Sequence, residues 1–492
     1  MSAGLILAAM ALPLLGGLFM LIRPLRDRGP REVWVMAITL LTSILTVMLL
    51  TNRPAHGVDL LTIYPGLTLA FRVDSLGMVF LAIVAVLWPI AILYSFEYMS
   101  HEHGENRFFA FFTMTYGVVL GIACAGNTFT LYFCYELLTL CTLPLVMHEM
   151  DGKARYAGKK YVLYSMTGAA LAFAAMVFVY HYGSLDFILG GSLDPDRISG
   201  HEDLLRTAFL LGFFGFGVKA AVWPAHGWLP SASVAPTPVS ALLHAVAVVN
   251  SGVFAILRIT YCNFGPDLLR GSFAQSVMMT FTCITIVFGS AMSWRMQHVK
   301  RRLAYSTVSN LSYILLGASV LTTAGLHAAL LHMVAHSVFK IILFFCAGAV
   351  LCQSGREYVF ELPGLGRRMP VTFTAFVVAS LGLIGIPPFA GFFSKWAIAS
   401  SAAAMDSPLG VAGCAALIVS AFLTGLYQVM VFVPAFFPTK EQRSQVRANE
   451  ACTEAGWRMR LAFILLALLA LAISFAVSPL SALLEQCARG GL

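Results

Sequence analysis

Long apolar runs alternate with short polar segments along the whole chain. About fourteen of these runs are close to the roughly 20 residues that an α-helix needs to cross the hydrocarbon core of a bilayer. The pattern therefore predicts an all-α, polytopic membrane protein of about fourteen transmembrane helices. The predicted spans are residues 3–22, 33–51, 75–95, 108–125, 128–147, 161–181, 207–223, 237–257, 273–294, 303–321, 327–352, 371–403 (interrupted), 409–437 and 461–480.

Two of the apolar segments contain several helix-breaking residues. Four prolines lie between Lys219 and His244, and three glycines with a Pro-Pro pair lie between Leu381 and Lys395. Proline removes a backbone donor and clashes with the preceding helical turn, and broken backbone at membrane depth occurs only inside protein or beside water. We predict that both helices are broken, as in internally repeated transporters, with an ordinary proline kink as the alternative. The expected helix breaks centre on Pro224, Pro230, Pro387 and Pro388.

Composition and charge support a membrane protein and give it an orientation. Hydrophobic residues make up 59% of the chain and charged residues 11%, which is too apolar for a soluble core of normal proportions. Of the 31 lysines and arginines, 21 fall in alternate connections that include the segment 23–31. The positive-inside rule makes that face cytoplasmic and places both termini on the other side. The net charge of +8 therefore reflects membrane topology and does not indicate a nucleic-acid-binding surface.

Seven ionisable residues interrupt the predicted spans at positions expected to lie deep in the membrane. An unpaired charge there costs about 2.5–3.5 kcal/mol on insertion scales, so these groups need partners, water or a neutral form. We predict that the one deep carboxylate, Glu136, pairs with Lys219. Extension of the side chain to the membrane interface is the alternative, and it suits Lys395 best. The seven residues are Glu136, Lys219, His244, His332, His336, Lys340 and Lys395.

Three of these residues form a regular column in an otherwise aliphatic and aromatic segment. His332, His336 and Lys340 are four residues apart, so on an α-helix they lie on one face about one turn from each other. Histidine titrates near neutral pH and can accept on one nitrogen while donating from the other, so the column indicates a proton relay. Haem or metal binding together with His244 is the alternative, but no thiolate or carboxylate ligand lies nearby, and we predict no metal site. The ten cysteines include no CxxC pair, so no iron–sulfur site is indicated.

Six segments together resemble a known family. The similarity covers about residues 70–435 and is specific for the antiporter-like subunits of respiratory complex I, membrane-bound hydrogenases and Mrp-type sodium/proton antiporters. It is much less specific for one of these complexes. In chain order the segments read YELLTLCTLPLV, KAAVWPAHGWLPSASVAPTPVSALLHA, AYSTVSNLSYILLG, HAALLHMVAHSVFKIILFFCAGAV, LPGLGRRMPVTF and GIPPFAGFFSK.

The resemblance implies a division of the chain into repeats. It implies two inverted five-helix repeats, each with one broken helix and each holding half of a proton path. The expected segments are three N-terminal helices in 1–107, the first repeat in 108–258, the second repeat in 273–437, and a loop with the fourteenth helix in 438–492.

The resemblance also implies a role for each of the seven buried ionisable residues, which we call the relay residues. Glu136 and Lys219 match the glutamate of the family's fifth helix and the lysine of its seventh. His244 matches the histidine in the eighth helix of the most distal complex I subunit and its Mrp relatives. Lys395 matches the exit-side lysine or glutamate of the twelfth helix. The column of the eleventh helix is matched by His332, His336 and Lys340.

The chain departs from the family pattern in three places. Asn250 stands where family members often carry a lysine late in the eighth helix, so the central relay would rest on His244. His298 replaces the acidic residue that usually precedes the basic pair before LAYS. Because the sequence ends shortly after the fourteenth predicted span, we expect no counterpart of the long lateral helix of the most distal complex I subunit. Chain length and the YELLTL segment favour an Mrp-D-like or hydrogenase-type subunit.

These observations lead us to expect a proton-translocating subunit of a complex I-like or hydrogenase-like assembly in the inner (plasma) membrane of the cell. The alternatives are a subunit of an Mrp-type cation/proton antiporter, a stand-alone secondary transporter, or a chain that only scaffolds its neighbours. No nucleotide, flavin, quinone or iron–sulfur motif occurs in the sequence, so we expect no cofactor on this chain and redox chemistry on partner subunits. The residues leave open whether sodium is moved with protons.

Overall fold

The computed structural model of the chain describes residues 2–52 and 56–491. The predicted segments 1–107 and 438–492 therefore each include residues outside this description. The helices are α1 (Ser2–Ile22), α2 (Arg28–Asn52), α3 (Ser75–Tyr98), α4 (Glu105–Ala123), α5 (Thr128–Val146), α6 (Gly152–Tyr182), α7 (Pro195–Ile198), α8 (Glu202–Gly217), α9 (Trp228–Ser231), α10 (Thr237–Ala245), α11 (Val248–Arg258), α12 (Pro266–Leu269), α13 (Phe273–Arg295), α14 (Val299–Ser319), α15 (Thr323–Ser354), α16 (Leu365–Arg368), α17 (Pro370–Ile384), α18 (Ala390–Ala403), α19 (Pro408–Phe436), α20 (Arg443–Ala448), α21 (Trp457–Phe475) and α22 (Val477–Ala488). Short 3₁₀ helices lie at Met99–His101, Ala225–Gly227, Ala232–Val234, Val359–Glu361 and Lys440–Gln442, and a π-helix at Ile259–Phe264.

Within the described residues, eleven helices are long and apolar enough to cross a membrane. This confirms the prediction of an all-α polytopic membrane protein. The other three predicted spans differ for physical reasons. α8 has only 16 residues because the chain unwinds near Lys219, and α14 is polar because its buried positions carry many Ser, Thr and Asn residues. The twelfth span is divided into α17 and α18.

Capping side chains fix where the two helices that carry most of the polar site begin. Asn127 Oδ1 accepts the N–H of Thr130 at 2.8 Å at the start of α5. Thr322 Oγ1 accepts the N–H of Gly325 at 3.1 Å at the start of α15. Each cap satisfies a backbone donor that the first helical turn leaves without an internal partner.

A small β-hairpin lies between α2 and α3, and the sequence analysis did not predict it. β1 (Val58–Tyr64) pairs antiparallel with β2 (Leu67–Phe71). The turn uses Gly66 with a φ of 82°, a backbone conformation that glycine adopts without steric cost. The N–H of Ala70 donates to Thr130 Oγ1 at 2.8 Å, so the hairpin is joined to the first turn of α5.

Helix α15 is the central element of the fold. It packs against α3, α10, α14, α17, α18, α21 and α22, and its middle turns are buried. The ring of Tyr94 from α3 stacks on Phe345 with centroids 3.9 Å apart, and its hydroxyl donates to the Phe345 carbonyl at 2.8 Å. The polar column of α15 therefore lies inside the protein and does not face lipid.

Both predicted helix breaks are present. The chain leaves the helical conformation after α8, with Ala221 at a φ of 57°, and residues 385–389 separate α17 from α18. A third interruption, which was not predicted, separates α10 from α11, where Val246 and Ala247 both donate to the Leu242 carbonyl at 3.2 and 2.8 Å. Between α8 and α10 lie Pro224 and Pro230, and between α17 and α18 lie Pro387 and Pro388.

The last predicted span, 461–480, is wrong at its end. α21 ends at Phe475, and α22 begins at Val477 as a separate helix that packs against α3 and α15. Pro479 favours the division, because it has no N–H to donate to the Phe475 carbonyl and lies in the first turn of α22, where a helix does not need that donor.

Replacing Gly391 with alanine is expected to destabilise the protein. Gly391 lies in the first turn of α18, and a Cβ there would be 1.8 Å from the carbonyl oxygen of Gly382 in α17. Relief requires the two half-helices to separate, so we expect a loss of about 1–3 kcal/mol, as in overpacked cores. Thermal unfolding should give a lower Tm for Gly391→Ala and an unchanged Tm for Gly4→Ala, where a Cβ meets nothing within 4 Å. Equal Tm values for both variants would contradict this packing.

Candidate functional site

The pair predicted from the sequence, Glu136 and Lys219, is present. Glu136 lies on α5, and Lys219 follows the end of α8, which places its Nζ 4.0 Å from Glu136 Oε1. The lysine side chain is 1% exposed and the glutamate side chain 31% exposed. This separation allows Coulombic attraction but exceeds that of a hydrogen bond, so the ion pair is a loose one.

The backbone around Lys219 is held by aromatic side chains. Lys219 Nζ donates to the Tyr135 carbonyl and lies 3.4 Å from the centroid of the Tyr135 ring. The Tyr135 hydroxyl donates to the Phe216 carbonyl at 3.1 Å, and Trp228 Nε1 donates to the Val218 carbonyl at 2.7 Å. The lysine therefore has a fixed position, whereas Glu136 makes fewer contacts and is the partner with more freedom to move.

His244 is a buried histidine at the end of α10. Its ring stacks on Phe344 with centroids 4.6 Å apart. Neither ring nitrogen has a hydrogen-bond partner among the protein atoms of the described residues. The His244 carbonyl accepts a hydrogen bond from His336 Nε2 at 3.3 Å, which joins α10 to α15. A buried imidazole with both nitrogens unpaired is energetically costly, so this position favours bound water.

Asn250, which stands where the family often has lysine, connects the interruption between α10 and α11 to α15. Its Nδ2 donates to the Ala245 carbonyl at 2.9 Å and to Ser337 Oγ at 2.8 Å. Two residues further along α11, a Cβ on Gly252 would lie 2.4 Å from the N of Ala220, so α11 touches the backbone beside Lys219. Asn250 is therefore a neutral polar residue on the helix that connects the Glu136–Lys219 pair to α15.

The two histidines of α15 form the predicted column and are both buried. Their ring centroids are 6.4 Å apart. His332 Nδ1 is hydrogen-bonded to Ser394 Oγ at 2.9 Å, and its ring meets the Tyr313 ring edge-on at 5.3 Å. One nitrogen of each ring, Nε2 of His332 and Nδ1 of His336, has no partner among the described protein atoms.

Lys340 continues the column and has neutral oxygens as its hydrogen-bond partners. Its Nζ donates to the Leu303 carbonyl at 3.1 Å and to Ser306 Oγ at 2.6 Å. Ser306 Oγ is in turn 2.6 Å from the Tyr427 hydroxyl. The lysine is completely buried, so its contact with Ser306 connects the α15 column to hydroxyl groups on α14 and α19.

A buried hydroxyl cluster that was not predicted from the sequence extends from Lys340. Beyond Tyr427 the Thr424 Oγ1 lies 3.2 Å away, and one turn earlier on α19 the Ser420 Oγ is 2.5 Å from the Tyr313 hydroxyl. The segment AYSTVSNLSYILLG contained the signal, since three members of this cluster, Ser306, Ser309 and Tyr313, lie in it. The hydroxyl cluster comprises Ser290, Ser306, Ser309, Tyr313, Ser420, Thr424 and Tyr427, joined further by hydrogen bonds from Ser309 to Ser290 and to Ser420.

Lys395 lies at the second helix break and does not extend to the membrane interface, so the alternative prediction for it is wrong. The residue is 5% exposed. Its Nζ donates to the carbonyls of Leu383 and Ile384 at 2.7 and 2.9 Å, across the break. It also lies 5.1 Å from the centroid of the Tyr313 ring. Tyr313 therefore touches both His332 and Lys395.

The structure thus brings all seven relay residues into one connected buried region. The Glu136–Lys219 pair reaches α15 through α11, His244 contacts His336, and Ser394 joins His332 to the turn that carries Lys395. Neutral histidines and hydroxyls can both accept and donate a proton, and the lysines can store one. Chemically, the region can pass protons along hydrogen-bonded groups and water, with Glu136 as the carboxylate of the set.

Comparisons with known proteins agree with this geometry. A family profile described as "NADH:quinone oxidoreductase/Mrp antiporter, TM" matches residues 125–424. A second, described as "NADH-Ubiquinone oxidoreductase (complex I), chain 5 N-terminus", matches residues 65–109. The first match contains every relay residue.

Two relatives illustrate the level of similarity. Subunit L of the NADH-quinone oxidoreductase of Mycobacterium tuberculosis is 31% identical over 395 residues, which cover 79% of this chain and 61% of that protein. The chloroplast NAD(P)H-quinone oxidoreductase subunit 5 of Chara vulgaris is 30% identical over 437 residues, which cover 84% of this chain and 63% of that protein. The chain therefore spans 61–63% of the length of these two relatives.

Two solved structures share the fold. One is a chain of the archaeal membrane-bound sulfane sulfur reductase, with a TM-score of 0.84 and 20% identity, covering 99% of this chain and 97% of that one. The other is a chain of the Mrp complex from Dietzia sp. DQ12-45-1b, with a TM-score of 0.82 and 26% identity, covering 98% of this chain and 52% of that one. Because the first family profile matches more than half of the sequence, the chain belongs to the NADH:quinone oxidoreductase/Mrp antiporter family of transmembrane subunits.

Proposed function

We propose that this chain is a proton-translocating, antiporter-like subunit of a redox-driven membrane assembly of the complex I or membrane-bound hydrogenase type. The observation that carries the proposal is the connected buried region of relay residues, which begins at the Glu136–Lys219 pair and reaches Lys340 and Lys395. Charged and titratable groups at such depth are costly. A series of them joined through hydroxyls and helix breaks is typical of a proton path.

The proposed step starts at the loose pair. When Glu136 is close, its negative charge stabilises the protonated form of Lys219. When Glu136 moves away, the buried ammonium loses that compensation and releases its proton to water beside α11. His244 and His336 then carry the proton toward Lys340, because a neutral imidazole accepts at one nitrogen and donates from the other.

The partners we propose are other membrane and peripheral subunits, and the redox cofactors would lie on those subunits. Support comes from the two relatives named above, which are subunits of NADH- and NAD(P)H-quinone oxidoreductases. The chain would sit in the inner (plasma) membrane with both termini on the non-cytoplasmic side. The uneven distribution of lysine and arginine supports that orientation.

A subunit of an Mrp-type cation/proton antiporter is the second candidate. The similarity to the Dietzia Mrp complex structure favours it, since that match covers 98% of this chain at 26% identity. In this case an ion gradient and not a redox reaction would drive the same proton path.

Purification of the chain from gently solubilised membranes separates the two candidates. For the first we expect iron–sulfur and catalytic subunits to co-purify, and substrate oxidation in proteoliposomes to acidify one side. For the second we expect small hydrophobic partners and sodium-driven proton movement. A chain that purifies alone and moves no protons under either condition would contradict both candidates.

A further inference from the structure

A polar cavity of about 260 Å³ lies outside the region of the relay residues. It opens among the connections that follow α5, α13 and α15, on the face that the positive-inside rule makes cytoplasmic. Eight of the ten lining residues are charged or titratable, so the cavity is suited to water and protons and not to an apolar ligand. The lining residues are Glu149, Asp151, Lys153, Ser233, Val234, His298, Lys300, Arg301, Glu357 and Tyr358.

The inner wall of the cavity reaches the first helix break. Ser233, in the 3₁₀ turn between α9 and α10, is 4% exposed and lines the cavity. Its hydroxyl has no hydrogen-bond partner among the protein atoms of the described residues. A buried hydroxyl beside a polar space of this size is normally satisfied by water, since one water needs about 30 Å³.

Lys300 connects the cavity to the relay residues. It is 7% exposed, and its Nζ donates to the Ala235 carbonyl at 2.9 Å. The same carbonyl accepts a hydrogen bond from Ser240 Oγ at 3.2 Å. Ser240 lies on α10 one turn before His244, so the two side chains share a face of that helix. His244 is the buried histidine whose two ring nitrogens have no partner among the described protein atoms.

The outer part of the cavity holds titratable groups of both signs. His298 Nε2 is 3.6 Å from Glu357 Oε2, so Glu357 supplies an acid beside the position where the family's usual acid is missing. Burial and the neighbouring Glu149 raise the pKa of Glu102, and Lys300 opposes that shift. Burial lowers the pKa of His298, and Glu357 opposes that shift. The other charged groups facing the cavity are Asp151, Lys153 and Arg301.

We propose that this cavity collects protons from the aqueous phase and that Lys300 transfers them, through Ser240 and water, to His244. In each transfer the Lys300 ammonium gives one proton to water at Ser240. The neutral amine is then protonated again by water in the cavity, which contacts the lining residues Glu149, His298 and Glu357. The inference rests on the proposed function, because it adds an entry from the aqueous phase that joins that proton path at His244.

The experiment uses the intact assembly reconstituted in vesicles, with proton translocation followed by a pH-sensitive dye. We expect Lys300→Ala and Lys300→Arg both to lower the rate at least about tenfold, because arginine keeps the charge and the donor but does not release its proton. The control is Lys159→Gln, an exposed lysine on the same face, which should keep the wild-type rate. Wild-type translocation in Lys300→Arg would overturn the inference, because it would show that only the charge is needed.

A second variant tests the inference if the Lys300 variants fail to assemble. If gel filtration shows that the Lys300 variants do not assemble, Ser240→Ala is measured instead, with the same expected loss. Full translocation in Ser240→Ala would then overturn the inference. Failure of the proposed function has a different result, since Lys219→Ala and Lys340→Ala would also translocate protons at the wild-type rate.

Discussion

Replacing Lys219 with alanine is expected to abolish proton translocation while the assembly still forms. Lys219 is the buried cation that Glu136 faces at 4.0 Å, and alanine removes the group that stores the proton. We expect the rate to fall by about 100-fold or more, the range over which positioned proton-transfer groups act. Translocation is measured in reconstituted vesicles, and assembly by co-purification of partner subunits.

We expect the Lys219→Ala assembly to form because the substitution does not leave Glu136 as a buried carboxylate that must stay charged. Loss of one partner of a buried pair costs about 3–5 kcal/mol when the other partner stays charged, but Glu136, whose side chain is 31% exposed, can bind a proton and become neutral. Glu136→Gln keeps the shape of the side chain and removes its charge, so we expect a large but incomplete loss of the proton-translocation rate. Lys440→Ala, in an exposed turn, is the control. Full translocation by Lys219→Ala would refute the assigned role of the pair.

Replacing Lys340 is the second change with a large expected effect. Lys340 is the point where the α15 column meets the hydroxyl cluster, through the 2.6 Å contact with Ser306 Oγ. We expect Lys340→Met and Lys340→Arg both to reduce translocation by about 100-fold or more, because methionine binds no proton and arginine does not release one.

The Lys340 variants have a matched control on the same helix. Ser354 lies at the end of α15, and its hydroxyl donates to the Val350 carbonyl of its own helix. Ser354→Ala should therefore translocate protons at the wild-type rate. If Lys340→Arg also translocates protons at the wild-type rate, Lys340 provides only a fixed positive charge, and protons do not pass from it to Ser306.

Much of the fold could be predicted because its signals are strong and local. Several helix-breaking residues lie close together around Pro224 and around the Pro387-Pro388 pair, and both breaks were found. The column of His332, His336 and Lys340 follows from helical spacing alone. The division into two inverted repeats stays a prediction; the first proposed repeat contains the interruptions after α8 and between α10 and α11, and the second contains the one between α17 and α18.

The hydroxyl cluster could not be predicted because its chemistry is ambiguous along the chain. A Ser or Thr in a helix can bond to the carbonyl of the preceding turn, as Thr424 does to Ser420 at 2.8 Å, and then needs no tertiary partner. Only the packing of α13, α14 and α19 decides that Ser309 and Ser420 meet. The interruption between α10 and α11 was missed for a similar reason, since Val246 and Ala247 are compatible with a continuous helix.

The contacts of Lys395 have a consequence for how the two ends of the proton path differ. The carbonyls of Leu383 and Ile384 are the free C-terminal end of half-helix α17, where the helix dipole corresponds to about half a negative elementary charge. The positive charge of Lys395 is therefore compensated by backbone carbonyls with fixed positions, whereas that of Lys219 is compensated by a carboxylate on a side chain that can rotate. One end of the proposed path therefore has a constant counter-charge and the other a switchable one, so we expect proton release to be controlled at Lys219 and not at Lys395.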